Sequence, residues 1–140
     1  MAEILIVDDS DDISLPLSLL MISEGHGVRV ARNGLEGLAA LSERFPDLII
    51  LDVEMPHLSG PGMAYDMLII DSGREGIPIV LLSGATDLIQ IAKIVGTPYQ
   101  MEKPFKFNRL CSLVGKALSE KTPITPSLDL LASMRATLAH

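Results

Sequence analysis

The stretch LIILDVEMPHLSG, residues 48–60, decides how this chain folds. Its four leading apolar residues predict a buried strand, and that strand runs directly into the carboxylate of Asp52. A buried charge without a partner is costly. Asp52 therefore either emerges into water at the end of the strand or lies where the protein needs a carboxylate. The residues that follow the other strands decide between these two interpretations.

The composition restricts the class of protein. The 140 residues suit one domain, and a content of 48% hydrophobic but 4% aromatic residues favours an aliphatic core around a buried parallel sheet. The formal net charge of −7 argues against nucleic acid or an anionic membrane as a partner. We find no secretory signal and no membrane-spanning run, and the single cysteine, Cys111, excludes an internal disulfide. We therefore expect a soluble, cytoplasmic protein.

Strands and helices alternate along the chain. Apolar runs predict five strands, at residues 3–7, 28–31, 48–51, 77–82 and 99–101. Helical patterns lie between and after them, one ending near residue 24 and the others at 35–44, 60–70, 86–95 and 105–119. This alternation predicts a doubly wound α/β fold with a five-stranded parallel sheet. In such a fold, ligands bind beyond the carboxyl ends of the strands.

Polar side chains follow four of the five predicted strands. Asp8 and Asp9 follow the first, Asp52 the third, Ser83 the fourth and Lys103 the fifth. The three carboxylates repel one another, by about 4 kcal/mol for each pair ~4 Å apart at an effective dielectric constant of ~20. One lysine offsets only part of this repulsion. The pattern therefore predicts a site for a hard divalent cation such as Mg²⁺, which binds carboxylates, carbonyl oxygens and water.

A carboxylate beside Mg²⁺ can also act as a nucleophile toward phosphorus and form an acyl phosphate. Phosphoryl transfer needs in-line positioning and neutralisation of the phosphoryl oxygens, which Mg²⁺, Lys103 and groups near Ser83 could supply. This chemistry answers the question that the opening stretch raises. Asp52 is predicted to receive a phosphoryl group.

Four motifs, in this order and at this spacing, resemble the receiver domain of two-component response regulators: ILIVDDS, ILDVEMPHLSG, VLLSGAT and EKPF. The resemblance covers residues 3 to about 119. It implies a flavodoxin-like, five-stranded parallel sheet of order 2-1-3-4-5 and a receiver domain at residues 1–119. It also implies a signalling module that assists its own phosphorylation and dephosphorylation, without turnover of a separate substrate.

The resemblance assigns roles to the residues at the strand ends. Asp52 matches the phospho-acceptor and, with Asp9, a direct Mg²⁺ ligand. Asp8 would bind the metal through water, and Glu54 would bind it through its backbone carbonyl. The residues that match those contacting the phosphoryl group are Ser83 and Lys103, the latter with a cis bond to Pro104.

The resemblance also implies partners. The phosphodonor would be a phosphohistidine on a sensor histidine kinase or a histidine phosphotransfer protein. The readout would be a changed surface that binds an unknown downstream protein, since no DNA-binding output segment is evident. No nucleic acid and no membrane are expected as partners.

Two alternative functions, and one departure from the family pattern, bear on this interpretation. The usual switch aromatic lies three residues before the lysine, whereas here Gln100 occupies that position and Tyr99 lies one residue earlier, on the opposite face of the strand. One alternative is a pseudo-receiver that acts by constitutive protein binding, against which the intact acidic set argues. The other is an aspartate-nucleophile phosphatase of the haloacid dehalogenase type, which would want a threonine where Ile13 stands.

A C-terminal extension, residues 120–140, follows the receiver-like body. Pro123 and Pro126 predict a stiff connector, and Ser127 is suited to cap a new helix. The side chains that would form one apolar stripe on this helix are Leu128, Leu131, Met134 and Leu138. A helix of this length is marginal alone in water, so it should pack on its own domain, on a second copy in a homodimer, or on a partner.

Overall fold

A computed structural model of the chain describes residues 2–8, 10–32, 34–52, 77–83 and 97–121, with the side chains of residues 34, 35, 38 and 83 left out. Within these ranges the chain forms five strands and three helices. The helices expected at residues 60–70 and 86–95, and the extra C-terminal helix, lie outside the described residues.

The five strands form one parallel sheet. They are β1 (Glu3–Val7), β2 (Gly27–Ala31), β3 (Leu48–Asp52), β4 (Ile79–Ser83) and β5 (Tyr99–Glu102). Their order is β2-β1-β3-β4-β5 and every neighbouring pair is parallel, which confirms the predicted flavodoxin-like order. The chain therefore reverses its direction of winding between β1 and β3, the place where such sheets bind ligands.

Four strands differ from the expectation: β2 begins one residue earlier, β3 and β5 each end one residue later, and β4 differs at both ends. The sequence predicted a strand at residues 77–82, but β4 begins at Ile79 and includes Ser83. Pro78 has no N–H to donate, and it contributes only its carbonyl, which accepts the N–H of Ile49. At the other end, Ser83 pairs with Glu102 of β5, and this pairing extends the strand by one residue.

The three described helices are α1 (Asp11–Ser23), α2 (Gly34–Glu43) and α3 (Phe107–Glu120). α3 begins two residues later than predicted and ends at Glu120. Lys121, which caps it, has a φ of 53° in the left-handed region that closes many helices. None of the three has the length and hydrophobicity that a membrane-spanning helix requires.

Both faces of the three central strands, β1, β3 and β4, are buried. α1 lies against β1 and β2 and α3 against β4 and β5 on one face, where Leu17 and Val114 belong to one aliphatic core with alternate strand residues. The intervening strand residues are also buried and point to the other face, where α2 lies against β1 and β2. This double burial explains why β1, β3 and β4 read as continuous apolar runs rather than as alternating ones.

Arg29 joins β2 to the end of α2. Its Nη1 donates to the carbonyl of Ala40 at 2.9 Å and its Nη2 to the carbonyl of Arg44 at 2.7 Å. The carbonyls at the end of a helix carry partial negative charge, and that of Ala40 also accepts the backbone N–H of Arg44 at 3.2 Å. The last turn of α2 contains no basic residue of its own, so Arg29 supplies the cation that this helix end lacks.

We expect Arg29→Ala to lower the free energy of unfolding by about 1–3 kcal/mol, since it removes two charge-assisted hydrogen bonds from a half-buried helix end. Urea denaturation followed by circular dichroism would measure the change. Arg32→Ala is the matched control: its ion pair with Asp11 is exposed and should contribute at most about 1 kcal/mol. Equal losses in both variants would contradict this role for Arg29.

Candidate functional site

Asp52 ends β3 as a buried carboxylate with a cationic partner. It is 3% exposed, and its Oδ2 accepts a hydrogen bond from Nζ of Lys103 at 3.1 Å. Lys103 follows β5, and β4 lies between β3 and β5, so the lysine side chain extends across the end of β4 to reach the carboxylate. Asp52 therefore does not emerge into water. It lies where the fold provides a counter-charge.

Asp8 lies beside Asp52 at the same edge of the sheet. Val7 pairs with Leu51 between β1 and β3, so Asp8 and Asp52 follow at the same level on adjacent strands. Asp8 is 2% exposed, and its Oδ1 accepts the backbone N–H of Ser10 at 2.9 Å. This bond orients the carboxylate in the short turn that leads into α1.

The charges at this edge do not cancel. Adjacent strands lie about 4.8 Å apart, and two carboxylates at that distance repel by about 3 kcal/mol at an effective dielectric constant of ~20. Lys103 is one ammonium against two buried carboxylates. Carboxylate oxygens with excess negative charge are the donor set that Mg²⁺ prefers, so the residues present fit this ion.

The structure brings together three of the residues that the sequence assigned to the site: Asp8, Asp52 and Lys103. Ser83 ends β4 at the same edge by its backbone position. Asp9 and Glu54 lie outside the described residues. Within the described ranges, no group of three His, Cys, Asp or Glu side chains is arranged to hold a metal ion. The Lys103–Pro104 peptide bond is cis, as expected.

A hollow of about 210 Å³ opens next to Lys103. It lies between the first turns of α1 and the loop that joins β5 to α3. Its lining is mostly apolar and consists of Asp12, Ile13, Pro16, Leu17, Lys103, Pro104, Phe105 and Phe107. The sequence pattern gave no role in this site to Asp12 or Phe107. The sequence feature that could have placed Phe107 beside the site is its position as an aromatic residue at the start of a helix, just after the Lys-Pro pair.

Tyr99 and Gln100 lie on opposite faces of β5, as their spacing from Lys103 predicted. Tyr99 is buried in the core beneath α3, and its hydroxyl donates to Oε1 of Glu120 at 2.9 Å. Gln100 points to the other face of the sheet, and its Oε1 is buried without a hydrogen-bond partner among the described residues. The aromatic residue of β5 is therefore a core residue in this chain.

Cys111 is half-buried on α3. Burial raises the pKa of its thiol, and the carboxylate of Glu24, to which the thiol donates a hydrogen bond, raises that pKa further. Nucleophilic cysteines have a lowered pKa because the thiolate is the reactive form. Cys111 therefore contacts the end of α1 and lacks the lowered thiol pKa that is typical of nucleophilic cysteines.

Comparisons with known proteins agree with this geometry. The family model described as "Response regulator receiver domain" matches residues 4–115. The chain is 33% identical to sporulation initiation phosphotransferase F of Bacillus subtilis over 122 residues, which are 86% of this chain and 96% of the relative. It is 31% identical to the DNA-binding response regulator MtrA of Mycobacterium tuberculosis over 113 residues, but it spans only 48% of that protein.

Solved structures show the same architecture. The chemotaxis protein CheY4 of Vibrio cholerae superposes with a TM-score of 0.75 at 30% identity, over 83% of this chain and 98% of that one. The signal receiver domain of a signal transduction histidine kinase from Syntrophus aciditrophicus gives a TM-score of 0.78 at 33% identity, over 86% and 92% of the two chains.

Proposed function

Because this chain belongs to the response regulator receiver domain family, we propose that it accepts a phosphoryl group on Asp52 from a phosphohistidine and thereby changes a surface that binds another protein. The observation that carries the proposal is the buried carboxylate of Asp52, bonded to Lys103 at 3.1 Å and placed next to Asp8. Structural ion pairs do not need a second buried carboxylate beside them. A site that must hold a cation and a phosphoryl group does.

Each residue of the site has a proposed role. The Oδ atom of Asp52 that does not face Lys103 attacks phosphorus, and the bond between phosphorus and the donor's imidazole nitrogen breaks as the new P–O bond forms. Lys103 holds one carboxylate oxygen of Asp52 in place and then neutralises a phosphoryl oxygen. Ser83, at the end of β4, would donate a hydrogen bond to another.

Mg²⁺, when bound, neutralises charge on the phosphoryl oxygens. The residues proposed to hold it are Asp9 and Asp52 directly, Asp8 through water and Glu54 through its backbone carbonyl. Asp8 suits an indirect role because its Oδ1 is already occupied by the N–H of Ser10. The second carboxylate oxygen of Asp8 would accept a hydrogen bond from a metal-bound water.

We propose that the hollow beside Lys103, the lysine that bonds Asp52, is part of the surface that the phosphodonor protein contacts. In-line transfer requires the donor imidazole to approach at this edge of the sheet, so the donor protein must contact the surface around it. The hollow offers apolar side chains from α1 and from the loop after β5, among them Pro16 and Phe107. We assign it to an apolar segment next to the phosphohistidine of a sensor kinase or phosphotransfer protein.

The proposed output is a protein–protein contact. A phosphoryl group adds nearly two negative charges at the ends of β3 and β4, and a response of Ser83 would move the segment that follows β4. The surface formed by that segment with β5 and α3 would then bind a downstream protein. We propose no separate substrate turnover. The DNA binding named for the mycobacterial relative is not proposed here, because the chain spans about half of that protein.

The test is phosphorylation by a small donor. The full chain is incubated with acetyl phosphate, with Mg²⁺ or with a chelator, and intact mass is measured before and after treatment with hydroxylamine, which cleaves acyl phosphates. We expect one phosphoryl group per chain, only with Mg²⁺, and its removal by hydroxylamine. A chain that folds and binds Mg²⁺ but gains no phosphoryl group would support the alternative, a pseudo-receiver that acts by constitutive protein binding.

A further inference from the structure

α1 exposes a row of large aliphatic side chains. Leu15, Leu19 and Ile22 are 62%, 70% and 55% exposed and follow one another at spacings of four and three residues, so they lie on one side of the helix. They are distinct from the buried side of α1, which carries Leu17 and Met21. Single exposed apolar residues are common, but a continuous row on one helix indicates a surface that something covers.

The row lies on the β2 side of α1, away from α3. Asp11, on the same side of the helix, forms an ion pair with Arg32, which directly follows β2. Val30 of β2 pairs with Ile6, a residue of the α1-facing core, so it points toward α1, and it is 47% exposed. Leu15, Leu19, Ile22 and Val30 thus form one apolar surface, here called the α1–β2 patch.

The remainder of this chain begins near that patch. Tyr99 starts β5 and bonds Glu120, the last residue of α3, so α3 ends at the amino edge of the sheet. α1 ends at the same edge, because His26, just beyond it, accepts the N–H of Ala2 ahead of β1. The described part of the chain therefore ends, at Lys121, at the edge of the sheet where Ile22 lies.

The length of residues 122–140 and the apolar pattern of their sequence both suit docking on the α1–β2 patch. Docking beyond α1 places the tail helix two interhelical distances of about 8–10 Å from α3, which is roughly 16–20 Å. The six peptide steps from Lys121 to Ser127 extend over about 20 Å, so the connector can carry the chain across α1. The predicted tail stripe from Leu128 to Leu138 is about 15 Å long, against about 10 Å from Leu15 to Ile22. A short tether also gives the tail an effective concentration in the millimolar range, which favours docking within one chain over docking on a second copy.

We propose that residues 127–140 form an amphipathic helix that docks its apolar stripe on the α1–β2 patch of the same chain. Its stripe, formed by Leu128, Leu131, Met134 and Leu138, covers the exposed row of α1. The docked helix lies on the opposite side of α1 from α3. This inference does not depend on the phosphorylation chemistry, and no measurement in its test uses phosphorylation.

The test compares single lysine substitutions in the full chain. Leu19→Lys and Leu131→Lys place a charge in the two halves of the contact, and lysine is as good a helix former as leucine, so neither change penalises its helix. We expect each to lower the melting temperature by several degrees and to speed amide exchange in the tail. The double variant should lose little more than either single one, because both break the same contact.

Matched controls are Ser133→Lys, on the opposite side of the tail helix, and Phe45→Lys, an apolar residue that is 48% exposed outside the patch. Both should keep the wild-type melting temperature. The proposal is overturned if Leu19→Lys and Leu131→Lys also keep it, if only one of the two loses stability, or if their losses add in full. It is likewise overturned if sizing by light scattering shows a dimer that Leu19→Lys converts to a monomer, since the patch would then bind a second copy.

Discussion

Asp52→Asn should abolish phosphorylation of the chain. The amide keeps the shape of the carboxylate and can still accept the hydrogen bond from Lys103, but its oxygen is too weak a nucleophile to attack phosphorus. We expect labelling from acetyl phosphate, or from any phosphohistidine donor, to fall at least ~100-fold, to the background of the assay. Intact mass after incubation with Mg²⁺ and acetyl phosphate measures the effect.

Asp47→Asn is the matched control for this substitution. Asp47 lies five residues earlier, just before β3, where its exposed carboxylate accepts the N–H of Glu3 at 2.8 Å at the opposite edge of the sheet. The Asp47→Asn variant should be phosphorylated, on Asp52, to the wild-type level. Labelling of Asp52→Asn at the level of Asp47→Asn would mean that another residue receives the phosphoryl group, and the proposed role of Asp52 would be wrong.

Stability separates this loss of function from misfolding. Asp52→Asn removes the ion pair with Lys103, which lowers stability. It also removes the repulsion from Asp8, about 3 kcal/mol, which raises stability. These two changes oppose each other, so the variant should remain folded without Mg²⁺. Added Mg²⁺ should raise the melting temperature of the wild-type chain more than that of the variant, because only the wild type has both buried carboxylates to bind it.

The edge of the sheet that carries the site was predictable from the sequence. Each strand is a short apolar run, and in a parallel sheet the residues after every run meet at one edge, so Asp8, Asp52 and Lys103 could be placed together without coordinates. Strand boundaries were less predictable. Pro78 looked like part of β4 by its apolar neighbours, but its missing N–H places it outside the strand.

The contacts that fix helices to the sheet were not predictable. Arg29 lies in a strand that reads as a simple alternating segment, and nothing local shows that its guanidinium reaches the end of α2. The bond between Cys111 and Glu24 likewise depends on how far α3 is shifted along α1. Such contacts depend on the relative placement of whole elements, which local pattern does not encode. The exposed row on α1 has the same origin, because helical periodicity alone does not say which apolar side faces the sheet.

Tyr99→Ala should be among the most destabilising single substitutions in the described part of the chain. Tyr99 is 1% exposed and packs in the core with Leu110 and Val114 of α3. Truncation removes a large ring from a closely packed site and leaves a cavity, which typically costs about 3–5 kcal/mol for an aromatic residue. It also leaves the carboxylate of Glu120 without the hydroxyl that bonds it. Urea denaturation measures the loss.

Tyr99→Phe separates packing from the hydroxyl. It keeps the ring and loses only the hydrogen bond to Glu120, so it should cost about 0.5–1.5 kcal/mol and leave the core intact. Because Tyr99 faces α3, and Gln100 the opposite face, we expect Tyr99→Phe to keep the wild-type response of the segment around Ser83 to phosphorylation, measured by amide exchange. A lost response in this folded variant would show that the hydroxyl of Tyr99 takes part in switching. If Tyr99→Ala lowers the free energy of unfolding by less than about 1 kcal/mol, the result would contradict the place of Tyr99 in the core, because truncating a buried aromatic side chain typically costs about 3–5 kcal/mol.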